Sequence, residues 1–284
     1  AGNNDEYMAE LVIDTAGTYY YLYAMSGDEG ASWTLCETTD AGGRNLGPGV
    51  ATITEQTGAD TSAQIAAVRA TADGTGLALP IDLATVTYLK PAGGSYDPAG
   101  FFVQAERGGP AIFVAVDPAS LTPAPQIGDK VSFDVTEVAT TNGLKRVSAL
   151  VNFGVASSGN PVDPLVEDVT AAADLVTSLG NYESEAVALT GSLSSDFVAS
   201  GDGHQSAQLD TGVLSASPLL RLRLPDELVE GYDLVAGCAA LLDYGVMWRA
   251  DAEAQVSAYA LADFGSIDCP APMVLGAHAT SSTK

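Results

Sequence analysis

The sequence predicts an all-β chain: a short β ribbon followed by two small β-barrels, the second carrying one short helix. Three observations point there. Short apolar runs with two-residue alternation recur through residues 63–269, Gly, Asn and Asp punctuate them at near-regular intervals, and helical periodicity is convincing only at residues 170–180. Hydrophobic residues make up 46% of the 284 and charged residues 17%, enough to build cores and too few charges for a solvated disordered chain. A chain of this length forms two or three domains, and no apolar run approaches the roughly 20 residues of a membrane helix.

Residues 1–40 read as strands YMAELVID, GTYYYLYAMS and SWTLC. Tyr19, Tyr21 and Tyr23 share one face by the two-residue period. Three strands rarely stand alone, so the ribbon is expected to recruit strands from elsewhere, a neighbouring chain included. Residues 41–62 read as a Gly, Thr and Asp-rich linker with one short strand at Val50 to Thr54. Residues 63–154 give six strands: QIAAVRAT, ATVTYLK, FFVQAE, AIFVAVD, KVSFDVTEV and LKRVSALVNF, with Asn142-Gly143 turning the last pair. Strands this short, in this order, suit a closed barrel that removes exposed edges. A connector at 155–163 leads to the helix TAAADLVTSLG, which Thr170 can cap and Gly180 can end, and the strand rhythm then repeats to residue 269. Residues 270–284 read as a tail.

Three resemblances follow from particular residues. Ser26-x-Asp28-x-Gly30-x-x-Trp33 resembles the Asp-box hairpin of secreted carbohydrate-active proteins, a structural turn. Gly100-Phe101-Phe102-Val103-Gln104, Ala111-Ile112-Phe113-Val114 and Gly128-Asp129-Lys130-Val131 resemble the OB-fold modules attached to secreted bacterial nucleases, and residues 164–269 read as a second, diverged OB-like module. Gly17-Thr18-Tyr19 with Trp33-Thr34-Leu35-Cys36 resembles the closing half of an immunoglobulin-like module. Together they imply a protein secreted by, or displayed on, a bacterium, with an export signal upstream or already removed.

A search for chemistry yields no catalytic set. The two histidines are His204, in the Gly201-Asp202-Gly203 turn, and His278, in the tail. Metalloprotease, nucleophile-elbow, phosphate-loop and EF-hand patterns are absent from the sequence. No cofactor is expected, and structural calcium is weighed only for the acidic turns at Asp28-Glu29 and Asp202. Cys238 precedes a strand and Cys269 follows the last one, so a disulfide between them is expected to staple the terminus. Cys36 is then left over. In the first barrel Arg69, Tyr88, Lys90, Phe102 and Arg107 form a candidate ligand face of bases and aromatics. Alternation sets Phe101 and Val103 opposite Phe102, so at least one phenylalanine belongs to the core. Arg221, Arg223 and Arg249 are expected to pair with nearby acids.

Charge sets the expected partners. There are 36 acids against 11 bases, net −25: residues 1–62 carry −9, 63–154 carry −2 and 155–284 carry −14. Such a field repels polyanions, so nucleic acid is not an expected partner and membrane insertion is not expected. Protein partners, or self-association through the N-terminal β segment, are. The resulting expectation is a non-catalytic secreted or cell-surface protein acting in binding, docking or extracellular assembly. The alternatives are the accessory, substrate-binding region of an extracellular nuclease and a carbohydrate-binding module.

Overall fold

The computed structural model describes residues 60–93, 97–215 and 217–270 in full and, before them, the backbone of four strands. The chain divides into two compact units, Ala1–Thr57 and Gly58–Lys284. In the first, β1 (Gly17–Tyr21) pairs antiparallel with β4 (Gly49–Ile53), and β2 (Tyr23–Met25) pairs with β3 (Thr34–Cys36). The short strand expected at Val50 is thus β4, and it gives β1 a partner within its own unit. The stretch 41–62 is accordingly more than a linker. Ser26, Asp28, Gly30 and Trp33, on which the Asp-box reading rests, and the strand expected at residues 7–14 lie outside the described residues.

The second unit opens with α1 (Thr61–Ala70) where a strand was expected. Asp60 caps it by accepting a 3.1 Å bond from the Ala63 amide, and its alanines favour helix. Ile65 and Val68, one helical turn apart, are both wholly buried in the core of the first barrel, which settles the period in favour of helix. Gln64 fixes the helix by a reciprocal pair of 2.8 Å bonds with Asp82.

The first barrel comprises β5 (Gly74–Lys90), β6 (Gly100–Gln104), β7 (Ala111–Val114), β8 (Lys130–Thr141) and β9 (Leu144–Ser157). It closes in the order β5-β6-β7-β9-β8, with β7 and β9 parallel and every other pairing antiparallel. Its core includes Val86, Phe101, Val103, Ile112, Val114 and Val131, alternate residues of their strands. The turn before β8 places Gly128 at φ +85°, where an added Cβ would lie 2.6 Å from the Asn160 carbonyl oxygen. Glycine there permits both the backbone turn and the close approach of the following connector. Asn160 in turn bonds the Gly128 carbonyl through its amide at 2.9 Å and its side chain at 2.8 Å, so the connector is tied down.

The second barrel repeats the order. After β10 (Glu167–Asp168) come β11 (Ala186–Leu193), β12 (Val198–Ala199), β13 (His204–Asp210), β14 (Leu220–Pro225), α2 (Asp226–Gly231), β15 (Ala239–Ala250), β16 (Glu253–Ser257) and β17 (Phe264–Asp268). The ring runs β11-β13-β14-β16-β15 and closes through β15 to β11, with β14 and β16 parallel. In both rings the first, second, third, fifth and fourth strands are successive neighbours, the Greek-key order of an OB-type barrel. The short helix of this barrel is α2, between its third and fourth strands. Residues 170–180, expected to be helical, instead form turns and the start of a 3₁₀ segment (Leu179–Asn181). The Thr170 hydroxyl expected to cap a helix there accepts the Thr190 amide of β11 at 2.9 Å, and Val169, Leu175 and Leu179 are anchored separately in the core.

Cys238 and Cys269 form the expected disulfide across a sequence separation of 31, tying the entry of β15 to the exit of β17. By loop entropy a closure of that size contributes about 3–4 kcal/mol. Replacing both cysteines by alanine is expected to lower unfolding free energy by about that much in urea titrations, with β-sheet circular dichroism retained. Two freely alkylated thiols in oxidised native protein would contradict the pairing.

Candidate functional site

The two barrels of the second unit meet along a seam built from the outer faces of β6 and β7. Phe102, Gln104 and Phe113 alternate with the core residues Phe101, Val103, Ile112 and Val114, so they point away from their own barrel, yet all are buried. The cover is the second barrel. Tyr88, Phe102, Phe113 and Leu144 pack with Val246, and Tyr244, Trp248 and Tyr259 close around them. Trp248 meets Phe113 edge-on with centroids 5.3 Å apart, and Tyr88 lies 5.3 Å from Tyr244. Tyr88 also donates a short hydrogen bond to Asp263, and its oxygen accepts the Tyr259 amide at 3.1 Å. Burial, with the Asp263 carboxylate beside it, pushes the Tyr88 phenol far above its ordinary range, so it remains a donor.

One end of the seam holds a buried charge cluster. Lys90, 1% exposed, lies 2.9 Å from one Asp97 oxygen, and Arg223 from the second barrel donates to the other at 2.8 Å. Lys90 also donates to the carbonyls of Pro91 and Pro98 and stands 5.7 Å from the Trp248 ring, while the Arg223 guanidinium lies 5.5 Å from the same ring. Burial works to raise the Asp97 pKa, but Lys90 and Arg223 outweigh it and hold the carboxyl below its usual range. Burial lowers the Lys90 pKa, with Asp97 opposing it. His204 rests against this cluster with Nδ1 2.9 Å from the Asp202 carbonyl, and burial followed by the Arg223 charge lowers its pKa, favouring the neutral ring.

The other end is tied by Arg69 of α1, which donates to the carbonyls of Gly180 at 2.6 Å, Ala111 at 3.3 Å and Glu183 at 3.4 Å. Glu183 accepts the Lys145 amide at 3.2 Å and forms an ion pair with Arg249 at 2.6 Å. Gln104 of β6 accepts the Ala186 amide of β11 at 3.0 Å. The Asn142 carbonyl, in the hairpin turn of the first barrel, accepts the Asp251 amide from the matching turn of the second. Gly143 beside it, at φ +78°, leaves only 3.2 Å between a would-be Cβ and the Asp251 Cα. Above Arg69 lies an open cleft of about 690 Å³ walled by Gly108, Pro110, Glu167, Asn181 and Tyr182.

The candidate ligand face is therefore divided. Tyr88, Lys90 and Phe102 come together, but inside the seam; Arg69 spans the seam's other end, and Arg107 stands apart, exposed, on the loop after β6. The inward phenylalanine is Phe101. Arg221 pairs with Glu253 at 3.9 Å, Arg223 with Asp97 and Arg249 with Glu183, as the sequence led one to expect. The sequence reading missed Asp97, Glu183, Glu185, Gln104 and Asp263. A lysine at the end of the apolar run ATVTYLK was the one signal that a buried acid had to lie opposite. Among the described residues no three His, Cys, Asp or Glu side chains converge in a metal-binding group.

No protein-family model matches the chain, and no curated protein matches it. Among solved structures, the crystal structure of the tetrameric p202 HIN2 aligns at TM-score 0.31 and 13% identity, covering 66% of this chain and 91% of that one. The crystal structure of the p204 HINb domain aligns at TM-score 0.32 and 8% identity, covering 66% and 95%. The fold assignment rests on strand order, and these alignments assign no ligand. The exclusion of nucleic acid as a partner is corrected: it was drawn from the net charge of the whole chain, of which residues 63–154 carry only −2, and whole-chain charge does not decide what a local surface binds.

Glu185 is the seam's anomaly. It is wholly buried, neither carboxylate oxygen has a hydrogen-bond partner, and burial reinforced by the Glu167 charge, with Arg69 opposing, raises its pKa from 4.5 to about 8. The folded chain thus keeps a proton there that the unfolded chain loses above pH 4.5. The stabilisation from this group is complete below that value and drains away as the pH rises to about 8, at up to about 1.4 kcal/mol per pH unit. Glu185→Gln is expected to flatten the decline in stability over this window and to stabilise the protein at its alkaline end. Urea titrations at several pH values check it; parallel profiles for the two proteins would contradict it.

Proposed function

We propose that this chain is a non-catalytic docking protein, exported or displayed at a cell surface, whose tandem barrels act as one rigid body and need no cofactor. The observation that carries the reading is the seam itself. The basic and aromatic face of the first barrel is spent on holding the second barrel, so the joined pair presents one fixed outer surface where a flexible pair would present two independent ones. Of the nine described bases in residues 58–284, six pair with carboxylates of their own unit. The acids outnumber their internal partners, and the outer surface they leave is suited to a cationic polypeptide.

The test is a panel with the full, disulfide-intact chain: cationic and acidic peptides, single-stranded oligonucleotides and polysaccharides, each followed by anisotropy over a salt series and by product analysis. Saturable binding of cationic polypeptide that weakens with salt, without turnover, is expected. Hydrolysis of plasmid DNA or polysaccharide that co-purifies with the chain would overturn the reading. Oligonucleotide binding at physiological salt, without cationic peptide binding, would replace it with the nuclease-accessory reading.

A further inference from the structure

β17 is an edge. It pairs with β15 on one side, from Ala239 opposite Asp268 to Leu242 opposite Phe264, and its other side has no partner among the described residues. Beside that free edge runs a groove of about 460 Å³ lined by Tyr232, Leu261, Phe264, Ser266, Ile267 and Cys269, with Gly265 between. Phe264, Ile267 and Cys269 lean on the core, whereas Tyr232 and Leu261 are 46% and 42% exposed, large apolar side chains walling an open trough. An unpaired strand edge next to such a trough is the geometry that accepts an added strand: the edge supplies backbone donors and acceptors, and the trough takes alternate side chains.

The chemistry of the rim selects the occupant. Exposed Asp233, Asp243 and Asp268 flank the groove, and the Asp243 carboxylate lies so close over Gly265 that an added Cβ would stand 2.5 Å from Oδ2. No base lines the groove, and the three described bases without a carboxylate ion pair, Arg107, Lys130 and Arg146, all belong to the first barrel. A second copy of this chain would set Asp243 and Asp268 against their equivalents in a chain of net −25. The chain's own residues 271–284 carry no charge before Lys284 and begin beside Pro270 and Pro272, which lack amide donors. Neither suits an acidic edge. The disulfide adds the remaining element, for Cys269 directly follows β17 and is bonded to Cys238 at the start of β15, so the edge is held in place before anything binds.

We propose that β17 and its groove bind an extended segment of a partner protein, alternating apolar residues flanked by lysine or arginine, as an added antiparallel or parallel strand. This rests on the docking reading above and gives it a place and a ligand class. The probe is a labelled nine-residue peptide, Lys-Lys-Val-Thr-Val-Thr-Val-Lys-Lys, with a version carrying Glu for each Lys as control. The full chain is expected to bind the basic peptide at least tenfold more tightly than the acidic one and to gain hydrogen-exchange protection at residues 264–268. Tyr232→Ser with Leu261→Ser, and separately Asp243→Lys with Asp268→Lys, should each weaken binding tenfold or more, with circular dichroism and Trp248 fluorescence unchanged. Undiminished binding by both variants would overturn the site while leaving the docking reading intact, since the peptide would then dock elsewhere. Two further results would also overturn it: tenfold tighter binding after truncation at Pro270, which assigns the groove to the chain's own tail, and a dimer that the Tyr232/Leu261 variant dissolves, which assigns it to a second copy. No binding of the basic peptide by the folded wild-type chain overturns it as well, while the wider cationic panel decides the docking reading separately.

Discussion

Two strands of the first barrel, β6 and β7, are buried at every position, and the rest of the second unit is arranged around that constraint. A small barrel can bury one face of a strand in its own core; the other can face water when polar but needs a cover when it carries large apolar side chains. Here Phe102 and Phe113 take the second barrel as that cover, and Trp248, Tyr244 and Val246 of β15 supply its matching surface. The charged groups then follow as consequences of sealing that surface. Lys90, two residues beyond Tyr88 on the same strand, is buried with it, and Asp97 and Arg223 complete a cluster in which each carboxylate oxygen meets a cation.

Such a cluster fixes geometry more than it adds stability. Burying these ions costs several kcal/mol each, and their mutual attraction roughly offsets that cost when every partner is present. What the cluster does provide is register, because Asp97 can satisfy Lys90 and Arg223 together only when the barrels sit in one relation. The hairpin-to-hairpin bond from Asp251 to Asn142 and the Gln104 bond to Ala186 impose the same relation from other points. Glu185 shows the opposite case. It is buried without partners, so it keeps its proton and couples the seam to pH.

Much of this was legible in the sequence because strand alternation and turn chemistry act locally. The barrel strands, the turns at Gly128 and Asn142-Gly143 and the opposed faces of Phe101 and Phe102 all follow from neighbours a few residues apart, and the disulfide follows from where Cys238 and Cys269 stand at the ends of the last strands. α1 was misread because QIAAVRAT is too short for its apolar residues to distinguish a period of two from one of 3.6; the decisive fact, burial of Ile65 together with Val68, is tertiary. At 170–180 too the decisive contacts are tertiary: Thr170, the expected cap, bonds β11 instead, and Val169, Leu175 and Leu179 are drawn separately into the core. Tyr88, Lys90 and Phe102, read as part of a candidate ligand face, lie buried in the seam, because alternation tells which way a side chain points and not what stands opposite. Bases and aromatics gathered on one barrel face look the same whether they await a ligand or a second barrel.

A rigid docking body requires the barrels of residues 58–284 to be one cooperative unit. Native-state hydrogen exchange on the full chain, in increasing urea, measures this directly by comparing the amides of β6 and β7 with those of β14 and β15. The most protected amides of both barrels are expected to open with the same free energy and the same urea dependence, and Asp97→Ala to lower both together by about 3–5 kcal/mol, leaving Lys90 and Arg223 buried without their counter-ion. If one barrel's amides exchanged through a lower-energy opening while the other stayed protected, the seam would be a contact between independent domains, and the rigid docking body would not exist.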